Sequence, residues 1–378
     1  MWITPKRDCL YKNPLILPAT ITGTAPQPFK IDLPSQWPID SIDILITGRI
    51  SALGTGPTYH TDGRLPLLKR AVVTRSNEAN PIPVDVSGVD LVSYNHKVFP
   101  SLDRGTQLEI MRAKGHGAGT AYANQTFSML YTIPFGHRKM VDPLYTATLL
   151  PVHQDPRPAQ LELTLAGYAD LNLKSDATID TLVVTVGINQ RDIPVSQENV
   201  VMKRGGYLVQ ELKGSTWAFA STIPDAKIYL PRPRQITAVV LNSFVDSTGE
   251  AIRGDVTQAD GLWYLYNGPD NVREKFTLGL IQSENDQAMN IQPHLVETAA
   301  NTFTTKLPNM LNTYLLDFVT RWGTDANELG SLFNTDLGNN AESFFQFPVT
   351  GSVSAQVRMV THAFLNKAQV NNWRAVQL

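Results

Sequence analysis

The sequence contains a single cysteine, Cys9, among 378 residues. An intrachain disulfide needs two cysteines, so the fold must depend on its packed core, and a reducing compartment is the expected place of folding. The prolines around Cys9 leave it without the electropositive surroundings that activate a cysteine nucleophile. We therefore predict that Cys9 is a structural or idle thiol.

Charged residues are also scarce, since Asp, Glu, Lys and Arg together make up 17% of the chain and the net charge is −2. A typical soluble protein has about 25%. The near-zero balance argues against a global field that would attract nucleic acid or an anionic membrane, and we predict no sequence-specific nucleic-acid binding. A chain with few charges suits a many-stranded β-protein whose surfaces are covered by neighbours.

No run of about 20 apolar residues offers a membrane span. The first eight residues, Met-Trp-Ile-Thr-Pro-Lys-Arg-Asp, lack the basic-then-apolar order of a signal peptide. We therefore expect neither an integral membrane protein nor one secreted through that route.

Recognisable catalytic and metal-binding motifs are absent as well. No Gly-x-Ser-x-Gly elbow occurs, and the glycine-rich residues 115–120 lead into a predicted strand, whereas a phosphate-binding loop leads into a helix. No His-x-His or His-Glu-x-x-His spacing occurs. The histidines are scattered singly: His60, His96, His116, His137, His153, His294 and His362. We predict no enzyme activity, no catalytic residue, no cofactor and no metal site.

What the sequence does contain is organised around residues 122–167. Residues 125–133 alternate, with Phe127, Met129, Tyr131 and Ile133 on one face, which predicts a half-buried strand ending at Pro134. Asp142 as N-cap before a proline predicts a helix of two to three turns through residue 150. Alternation over 160–165 predicts the next strand.

Further strands are predicted on both sides of this stretch. In the first half they cover residues 29–33, 42–47, 68–75 and 84–94, with Ser87-Gly88 as a breaker. The apolar run over 180–186 is typical of a strand buried on both faces. In the second half they cover residues 227–230, 236–245, 263–266, 276–280, 309–318 and 352–365. A second capped helix is predicted at 323–333.

The periodic signal lapses over residues 188–205, which are the best candidate for a domain boundary. Each half has about eight strand candidates and one helical insertion before its last strands. This is a weak architectural repeat without residue-level identity. We predict an N-terminal arm over residues 1–26, irregular because of its prolines, and two β-domains over 27–200 and 201–378.

Three groups of side chains have both a structural and a binding interpretation. Arg232 and Arg234, like Lys69-Arg70, could meet phosphate or a neighbour's carboxylate, although solvated turn charges are commoner. The aromatic residues 263–266 have the composition of a sugar-stacking platform, and core packing on alternate faces explains them equally well. The mildly basic arm could touch a membrane, nucleic acid or a neighbouring subunit, or pack along its own domain.

Four stretches of the sequence carry a resemblance to a known family. They are the strand end Tyr131-Thr132-Ile133-Pro134-Phe135, the helix-bearing loop through Leu149-Leu150-Pro151, the strand over 160–165 and the closing residues 356–365. Together they resemble the double jelly-roll major capsid proteins of tailless icosahedral viruses, the tectivirus-like and adenovirus-like lineage. The resemblance covers residues 29–365 in layout and includes no diagnostic motif.

The resemblance implies an all-β fold of two tandem eight-stranded jelly-roll barrels, with short helical insertions in loops. It implies a homotrimer of pseudo-hexagonal outline, in contact with neighbouring capsomers and with penton or minor capsid proteins. Residues 54–65 would belong to an outward tower, and the arm would face the interior, where an internal membrane can lie. The protein would be located in the virion and assembled in the host cytoplasm.

Two rival functions remain open at this point. A carbohydrate-binding or carbohydrate-active β-sandwich protein would line a groove with the aromatic residues, and the enzyme version would carry a carboxylate pair about 5 to 9 Å apart. A minor virion spike protein would form a trimer without a hexagonal outline.

Overall fold

The fold is taken from a computed structural model of the chain. It describes residues 5–9, 15–16, 28–52, 65–76, 81–98, 122–137, 140, 142–166, 177–246, 251–253, 256–257, 261–288, 294–299, 302–306, 312–319, 332–337, 341–350 and 355–374. The predicted glycine-rich loop at 115–120, the predicted helix at 323–333 except for its last two residues, and nearly all of the tower segment at 54–65 lie outside these residues.

The described part of the first half of the chain forms nine strands. They are β1 (Pro5–Cys9), β2 (Leu15–Ile16), β3 (Pro28–Asp32), β4 (Ile39–Ala52), β5 (Leu68–Thr74), β6 (Val84–Val86), β7 (Tyr122–Pro134), β8 (Gln160–Leu165) and β9 (Ala177–Arg191).

The pairing order of these strands is that of a jelly roll. β1 and β2 both pair with the same edge of β9, so together they act as one interrupted edge strand. One sheet then has the order β1-β9-β4-β7, and the facing strands have the order β3-β8-β5-β6. If the eight strands are numbered along the chain, the orders are 1-8-3-6 and 2-7-4-5, two sheets linked by Greek-key connections.

The second half contains the remaining strands. They are β10 (Gln210–Phe219), β11 (Ile223–Tyr229), β12 (Gln235–Asp246), β13 (Ala251–Arg253), β14 (Leu262–Asn267), β15 (Val272–Thr277), β16 (His294–Ala299), β17 (Thr302–Lys306), β18 (Thr313–Asp317), β19 (Phe333–Asn334), β20 (Ser343–Val349) and β21 (Ala355–Phe364).

Eight of these strands repeat the order of the first half. β10, β21, β12 and β18 are neighbours in one sheet, and β11, β20, β14 and β15 form the other. Numbered along the chain, the orders are again 1-8-3-6 and 2-7-4-5. β13 and β19 pair with β12, and β16 with β17 forms a separate hairpin. The all-β prediction of two tandem jelly rolls is therefore confirmed.

Alternating side chains explain why these segments form strands. On β7 the residues Phe127, Met129, Tyr131 and Ile133 are buried, as predicted, and the strand ends at Pro134. On β14 Trp263 is buried while Tyr264 is only half-buried. The predicted strands at 29–33, 42–47, 68–75, 160–165, 227–230, 236–245 and 352–365 all appear within one or a few residues of their expected bounds.

Within the described residues, five α-helices interrupt the strands. They are α1 (Gly88–Val98), α2 (Leu144–Ala147), α3 (Val195–Lys203), α4 (Leu278–Ala288) and α5 (Lys367–Arg374), with 3-10 turns at Leu65–Leu67 and Val152–Gln154. α1 and α4 each have 11 residues and occupy equivalent places, since each follows the fifth strand of its barrel and precedes the sixth.

Two of these helices correct strand predictions. The strand expected over residues 84–94 stops at Val86, because Ser87 begins α1 instead of breaking a strand. The Ser87 hydroxyl accepts a hydrogen bond from the backbone N–H of Asp90 at 3.2 Å, and the Asp90 carboxylate accepts one from the backbone N–H of Ser87 at 3.0 Å. This reciprocal pair is a capping box. Likewise, residues 278–280 open α4, so Leu280 does not share a strand face with Phe276.

The helix predicted from Asp142 to residue 150 is shorter than expected. α2 covers Leu144–Ala147 only, and its N-cap position is Pro143, without a side-chain cap. The Asp142 carboxylate instead accepts a hydrogen bond from the Thr146 hydroxyl at 2.6 Å. The helix ends where the Thr148 hydroxyl donates to the carbonyl of Tyr145 at 2.7 Å, a side-chain bond that competes with helix propagation.

The N-terminal residues are more regular than predicted. Pro5–Cys9 and Leu15–Ile16 pair antiparallel with β9, with Pro5 opposite Arg191 and Leu15 opposite Val184. A proline is tolerated because β1 is an edge strand and needs no second ladder. The described part of the segment 1–26 therefore packs along its own barrel.

Burial on β9 differs from the prediction for residues 180–186. Leu182, Val184 and Val186 are fully buried in the barrel, whereas Val183 and Thr185 are half-buried. The sheet β1-β9-β4-β7 therefore has a second face that this chain covers only in part.

The two barrels are joined through a ten-stranded sheet. β10 of the second barrel pairs in parallel with β6 of the first, with Leu212 opposite Val84. Two large apolar cores lie on either side, one inside each barrel, and a third small cluster packs around α2, α3 and α5. Among the described helices, none has the length and apolar character that a membrane crossing requires.

Candidate functional site

The most elaborate part of the molecule is the joint between the barrels, which is built around α1. Every residue of this helix is buried, including Asp90, His96 and Lys97. α1 contacts β5 and β7 of its own barrel and β12, β18 and β21 of the second barrel. A helix buried on all sides lies inside a structure instead of on its surface.

The N-terminus of α1 is tied to the second barrel by charge. Arg358 on β21 donates to the Ser87 hydroxyl at 2.9 Å and to the Asp90 carboxylate at 3.4 Å. β10 passes this carboxylate at Gly214, where an added Cβ would lie 2.5 Å from Asp90 Oδ2. The glycine therefore makes room for the carboxylate, which is 3% exposed and compensated by the guanidinium.

A buried polar network crosses the joint at the other end of the same strands. The Gln210 side-chain amide donates to the backbone carbonyls of Phe135, at 3.1 Å, and Thr148. Its oxygen lies 2.9 Å from His362 Nε2, and Thr237 Oγ1 lies 2.5 Å from His362 Nδ1. The Gln210 amide oxygen carries no hydrogen and can only accept, which places the imidazole proton on Nε2 and leaves Nδ1 to accept from the Thr237 hydroxyl.

This environment keeps His362 neutral. Burial, together with a smaller contribution from the nearby imidazole of His137, whose ring centroid lies 5.8 Å away, lowers the pKa of His362 to about 3. The same burial raises the pKa of the Tyr94 hydroxyl well above its usual range, with Asp317 adding to the effect. Neutral imidazole and phenol are the forms that a desolvated joint tolerates.

The rest of the joint is apolar. One face of the second barrel's sheet packs into the core of the first barrel, through Leu212, Ala238, Val240, Phe244, Leu315 and Val360. The core of the first barrel therefore extends to the outer face of this sheet, whereas the interior of the second barrel forms a core of its own. The arrangement fixes the position of one barrel on the other.

No protein-family model and no curated protein matches the sequence. Solved structures do match over nearly the whole chain. The STIV MCP, a major capsid protein, has a TM-score of 0.62 at 14% identity, and the match covers 99% of this chain and 100% of that one. The Faustovirus major capsid protein has a TM-score of 0.59 at 8% identity, covering 97% and 91%. VP54 of PBCV-1 has a TM-score of 0.55 at 10% identity, covering 96% and 94%.

The chain has the double jelly-roll fold. The matches cover both barrels and the joint between them in a single alignment, so the tandem arrangement is shared and not only the individual barrel. At these identities the likeness concerns fold, and individual side chains have to be interpreted from this chain alone.

Within the double jelly roll, α1 and α4 repeat each other at residue level. Ser87 caps α1, and Thr277 caps α4 by accepting from the backbone N–H of Leu280 at 3.2 Å. Six residues after each cap stands a serine, Ser93 or Ser283, whose hydroxyl donates to the carbonyl four residues earlier.

Two residues further on, each helix carries an asparagine with the same task. The Asn95 amide donates to the carbonyl of Thr132 at 2.6 Å, on the sixth strand of the first barrel. The Asn285 amide donates to the carbonyl of Leu315 at 3.0 Å, on the sixth strand of the second barrel, and accepts from the Leu315 N–H at 2.7 Å. The shared pattern is Ser/Thr-x5-Ser-x-Asn. The sequence analysis missed this repeat, which a comparison of the halves around Ser87 and Thr277 would have found.

The basic segments named from the sequence are used within the chain. Arg234 donates to the Glu211 carboxylate at 2.9 Å, and Arg232 donates to the carbonyl of Ala341. Arg70 forms a bidentate pair with Asp85, with both distances 2.7 Å. These pairs link neighbouring strands and loops of the same barrel, which is the structural interpretation of these charges.

The aromatic residues 263–266 do not form a platform. Trp263 is fully buried, and its ring stacks on that of Phe347 with centroids 3.6 Å apart. Tyr266 stacks on Phe344 on the opposite face of the same sheet, at 4.7 Å. The side chain with the largest stacking area is therefore part of the core and is not accessible to a sugar.

The histidines that the structure describes do not all lie at one place in the molecule. Where the structure describes the chain, no group of three or more His, Cys, Asp or Glu side chains has a geometry that could hold a metal ion. His96, His137 and His362 are buried at the joint, and His153 lies 3.1 Å from Glu198 on the outside.

Proposed function

We propose that this protein is the major capsid protein of an icosahedral virus and that its role is structural. The observation that carries the proposal is the repetition of the jelly-roll strand order in both halves, combined with likeness over the full chain to proteins described as major capsid proteins. The outer sheet face of the second barrel packs into the core of the first barrel. The chain is therefore a building block whose two similar barrels are held together by an apolar contact.

The capsomer in this proposal is a homotrimer. Three chains with two barrels each give six similar barrels around a threefold axis, and hence a pseudo-hexagonal outline that packs against neighbouring capsomers. The low charge content supports wide buried contacts, because obligate interfaces of about 2,000 Å² or more are depleted of charge at their centres.

The finer assignments belong to the same proposal. Residues 27–200 would be the first jelly roll and residues 201–378 the second, which is supported by the end of β9 at Arg191 and the start of β10 at Gln210. Residues 1–26 would contact the capsid interior and any internal membrane. Neighbouring capsomers and penton or minor capsid proteins would be the other partners, with assembly in the host cytoplasm and a final location in the virion.

A catalytic role has no support in the described geometry. Among the described residues of the joint, no exposed nucleophile has a base beside it, and His362 is held neutral mainly by burial. A carbohydrate-binding role loses its main candidate because Trp263 lies in the core. A structural protein without an active site accounts for both observations.

The experiment is the mass of the purified full-length protein in solution, measured by light scattering after size exclusion. A particle near three times 41.8 kDa, stable on dilution to the micromolar range, is the expected result. A monomer at every concentration tested would overturn the trimeric capsomer and would redirect attention to glycan-binding assays.

A further inference from the structure

The equivalent helices α1 and α4 differ in how much of their surface the rest of the chain buries. On α1 the residues Val89, Asp90, Ser93 and Tyr94 are buried because the second barrel packs over them. On α4 the corresponding residues, which are Gly279, Leu280, Ser283 and Glu284, are exposed. Leu280, the counterpart of Asp90, is a large apolar side chain that is 51% exposed.

The surface that covers α1 also has a counterpart in the chain. α1 docks on the outer face of the second barrel's sheet β10-β21-β12-β18, and the equivalent sheet of the first barrel is β1-β9-β4-β7. The two equivalent asparagines show which residues of the two sheets correspond. Asn95 donates to the carbonyl of Thr132 on β7, and Asn285 donates to the carbonyl of Leu315 on β18, so Thr132 and Leu315 are equivalent.

The strand pairing then fixes the remaining equivalences. Two residues before Thr132 and Leu315 stand Leu130 and Thr313, so these two residues correspond. Leu130 lies opposite Leu45 on β4, and Leu45 lies opposite Thr185 on β9. In the second barrel Thr313 lies opposite Asn242, and Asn242 lies opposite Arg358. Leu45 therefore corresponds to Asn242, and Thr185 corresponds to Arg358, the residue that binds Asp90.

From these equivalences we infer that α4 of one copy docks, with Leu280 at its centre, on the outer face of β1-β9-β4-β7 of a second copy, around Leu45, Leu130 and Thr185. The inference rests on the proposed function, because it identifies the surfaces by which the capsomer would be held together. The contact repeats, between chains, the joint that the chain already makes internally.

The chemistry of the two surfaces supports the pairing. At the internal joint, charged Asp90 meets Arg358, with the polar residues Asn242 and Thr313 beside them, all buried except Arg358, which is half-buried. The two surfaces proposed to meet between copies are apolar instead. α4 presents the exposed Leu280, and the sheet face presents Leu130, which is 37% exposed, with half-buried Leu45 and Val183. Polar residues are matched with polar ones inside the chain, and apolar residues with apolar ones between copies.

The apolar run on β9 has the same explanation. Residues 182–186 read Leu-Val-Val-Thr-Val, which is the composition of a strand covered on both faces, yet within one chain Val183 and Thr185 remain half-exposed. A second copy seated on this face would complete their burial.

The symmetry of the contact limits the assembly. The two surfaces lie on different barrels, so the interface is heterologous and runs head to tail, and such interfaces produce closed rings when the rotation closes. In the proposed trimer, three internal joints alternate with three contacts between chains around a ring of six barrels.

The test transplants the internal ion pair into the contact between copies. Leu280→Asp alone places an unpaired carboxylate against leucines, and it should raise the concentration at which trimers dissociate by roughly 30-fold or more, as the loss of a central apolar anchor does. Thr185→Arg alone should also weaken association. The double variant Leu280→Asp/Thr185→Arg recreates the Asp90–Arg358 pair across copies and should regain much of the association, now in a salt-sensitive form.

A matched control and a direct readout complete the design. Val195→Asp, at an apolar side chain of α3 that is 73% exposed, introduces the same charge elsewhere and should leave the dissociation concentration unchanged. In a Cys9→Ser background, Leu130→Cys combined with Leu280→Cys should give covalent trimers with a short bifunctional thiol reagent, and either cysteine alone should not.

The outcomes separate this inference from the proposed function. A wild-type monomer would overturn both. A wild-type trimer that keeps its mass in Leu280→Asp, or that loses it equally in Val195→Asp, would overturn the assigned interface and leave the trimeric capsomer intact.

Discussion

At the scale of single residues, the joint depends on groups that are buried in one protonation state. His362 is neutral in the folded chain because burial and His137 lower its pKa to about 3, whereas the unfolded chain has an ordinary histidine near 6.5. Below pH 6.5 the unfolded state therefore binds a proton that the folded state does not. Stability should fall as the pH decreases from 6.5 towards 3, by about 1.4 kcal/mol per pH unit for this group.

Replacing His362 should change both the free energy of unfolding and its dependence on pH. We expect His362→Gln to be less stable than wild type at pH 7, because it disrupts the network with Gln210 and Thr237. Between pH 7 and pH 5, however, it should lose about 2 kcal/mol less than wild type does. Urea unfolding of wild type and variant over this pH range is the measurement. An unchanged slope in His362→Gln would contradict the account.

Gly214 tests the close approach of α1 to the second barrel. Gly214→Ala places a methyl group 2.5 Å from the Asp90 carboxylate, so strand or helix must shift, at a cost of about 1–3 kcal/mol. Gly279→Ala on α4 is the matched control, since nothing lies within 4 Å of its added Cβ, and its effect should stay within about 1 kcal/mol. Thermal unfolding of both variants makes the comparison. Equal effects would indicate that α1 does not lie against β10 as described.

At the scale of elements, the two helices that follow the fifth strand of each barrel act as equivalent anchors for the sixth strand. Asn95 and Asn285 each satisfy a buried backbone carbonyl of that strand. The repetition of an anchor at the same point of two barrels indicates that this connection is part of the architecture and not a local decoration.

Removing either asparagine should therefore destabilise its barrel to a similar extent. Asn95→Ala and Asn285→Ala each leave buried backbone groups without a partner, which costs about 1–3 kcal/mol. Exposed Asn271→Ala serves as the control, with an effect within about 0.5 kcal/mol. Hydrogen exchange should show faster exchange of β7 in the first variant and of β18 in the second. Loss of protection spread evenly over both barrels would contradict the anchoring role.

The sequence predicted the strands well and the helices poorly, for physical reasons that can be named. Alternation of side chains on β4, β7 and β8 is a local signal, and it located these strands. The capping box at Ser87 is local too, but the following Val-Asp-Leu-Val segment was predicted to be a strand, because α1 is buried on every side and has no solvent-exposed face to mark it as a surface helix. The same burial hid the joint itself.

Other features lay beyond any single-sequence pattern. The Asp90–Arg358 pair joins residues 268 positions apart, and the hydrogen bond between His362 and Gln210 joins strands that meet only in the folded sheet. The equivalence of Ser87 with Thr277 was accessible in principle, yet three shared side chains spread over nine residues are recognisable only once the strand order shows which segments to compare.

At the scale of the whole molecule, the chain is a pair of jelly rolls joined where one face of the second barrel packs into the core of the first. The outer sheet face of the second barrel is used within the chain, and the equivalent face of the first barrel is left partly exposed. The second barrel carries an exposed helix whose apolar character matches that face. The chain thus contains the joint between α1 and the second barrel, and it also presents the two equivalent surfaces, α4 and the outer face of β1-β9-β4-β7. Copies that join through these two surfaces would form the ring that we propose.

The most direct test of this account is electron microscopy of the full-length protein purified as a single size-exclusion peak, with class averages viewed along the symmetry axis. The account predicts particles with six similar densities on a hexagon, related by a threefold axis. Monomers, or trimers with three separated lobes and no hexagonal outline, would contradict it.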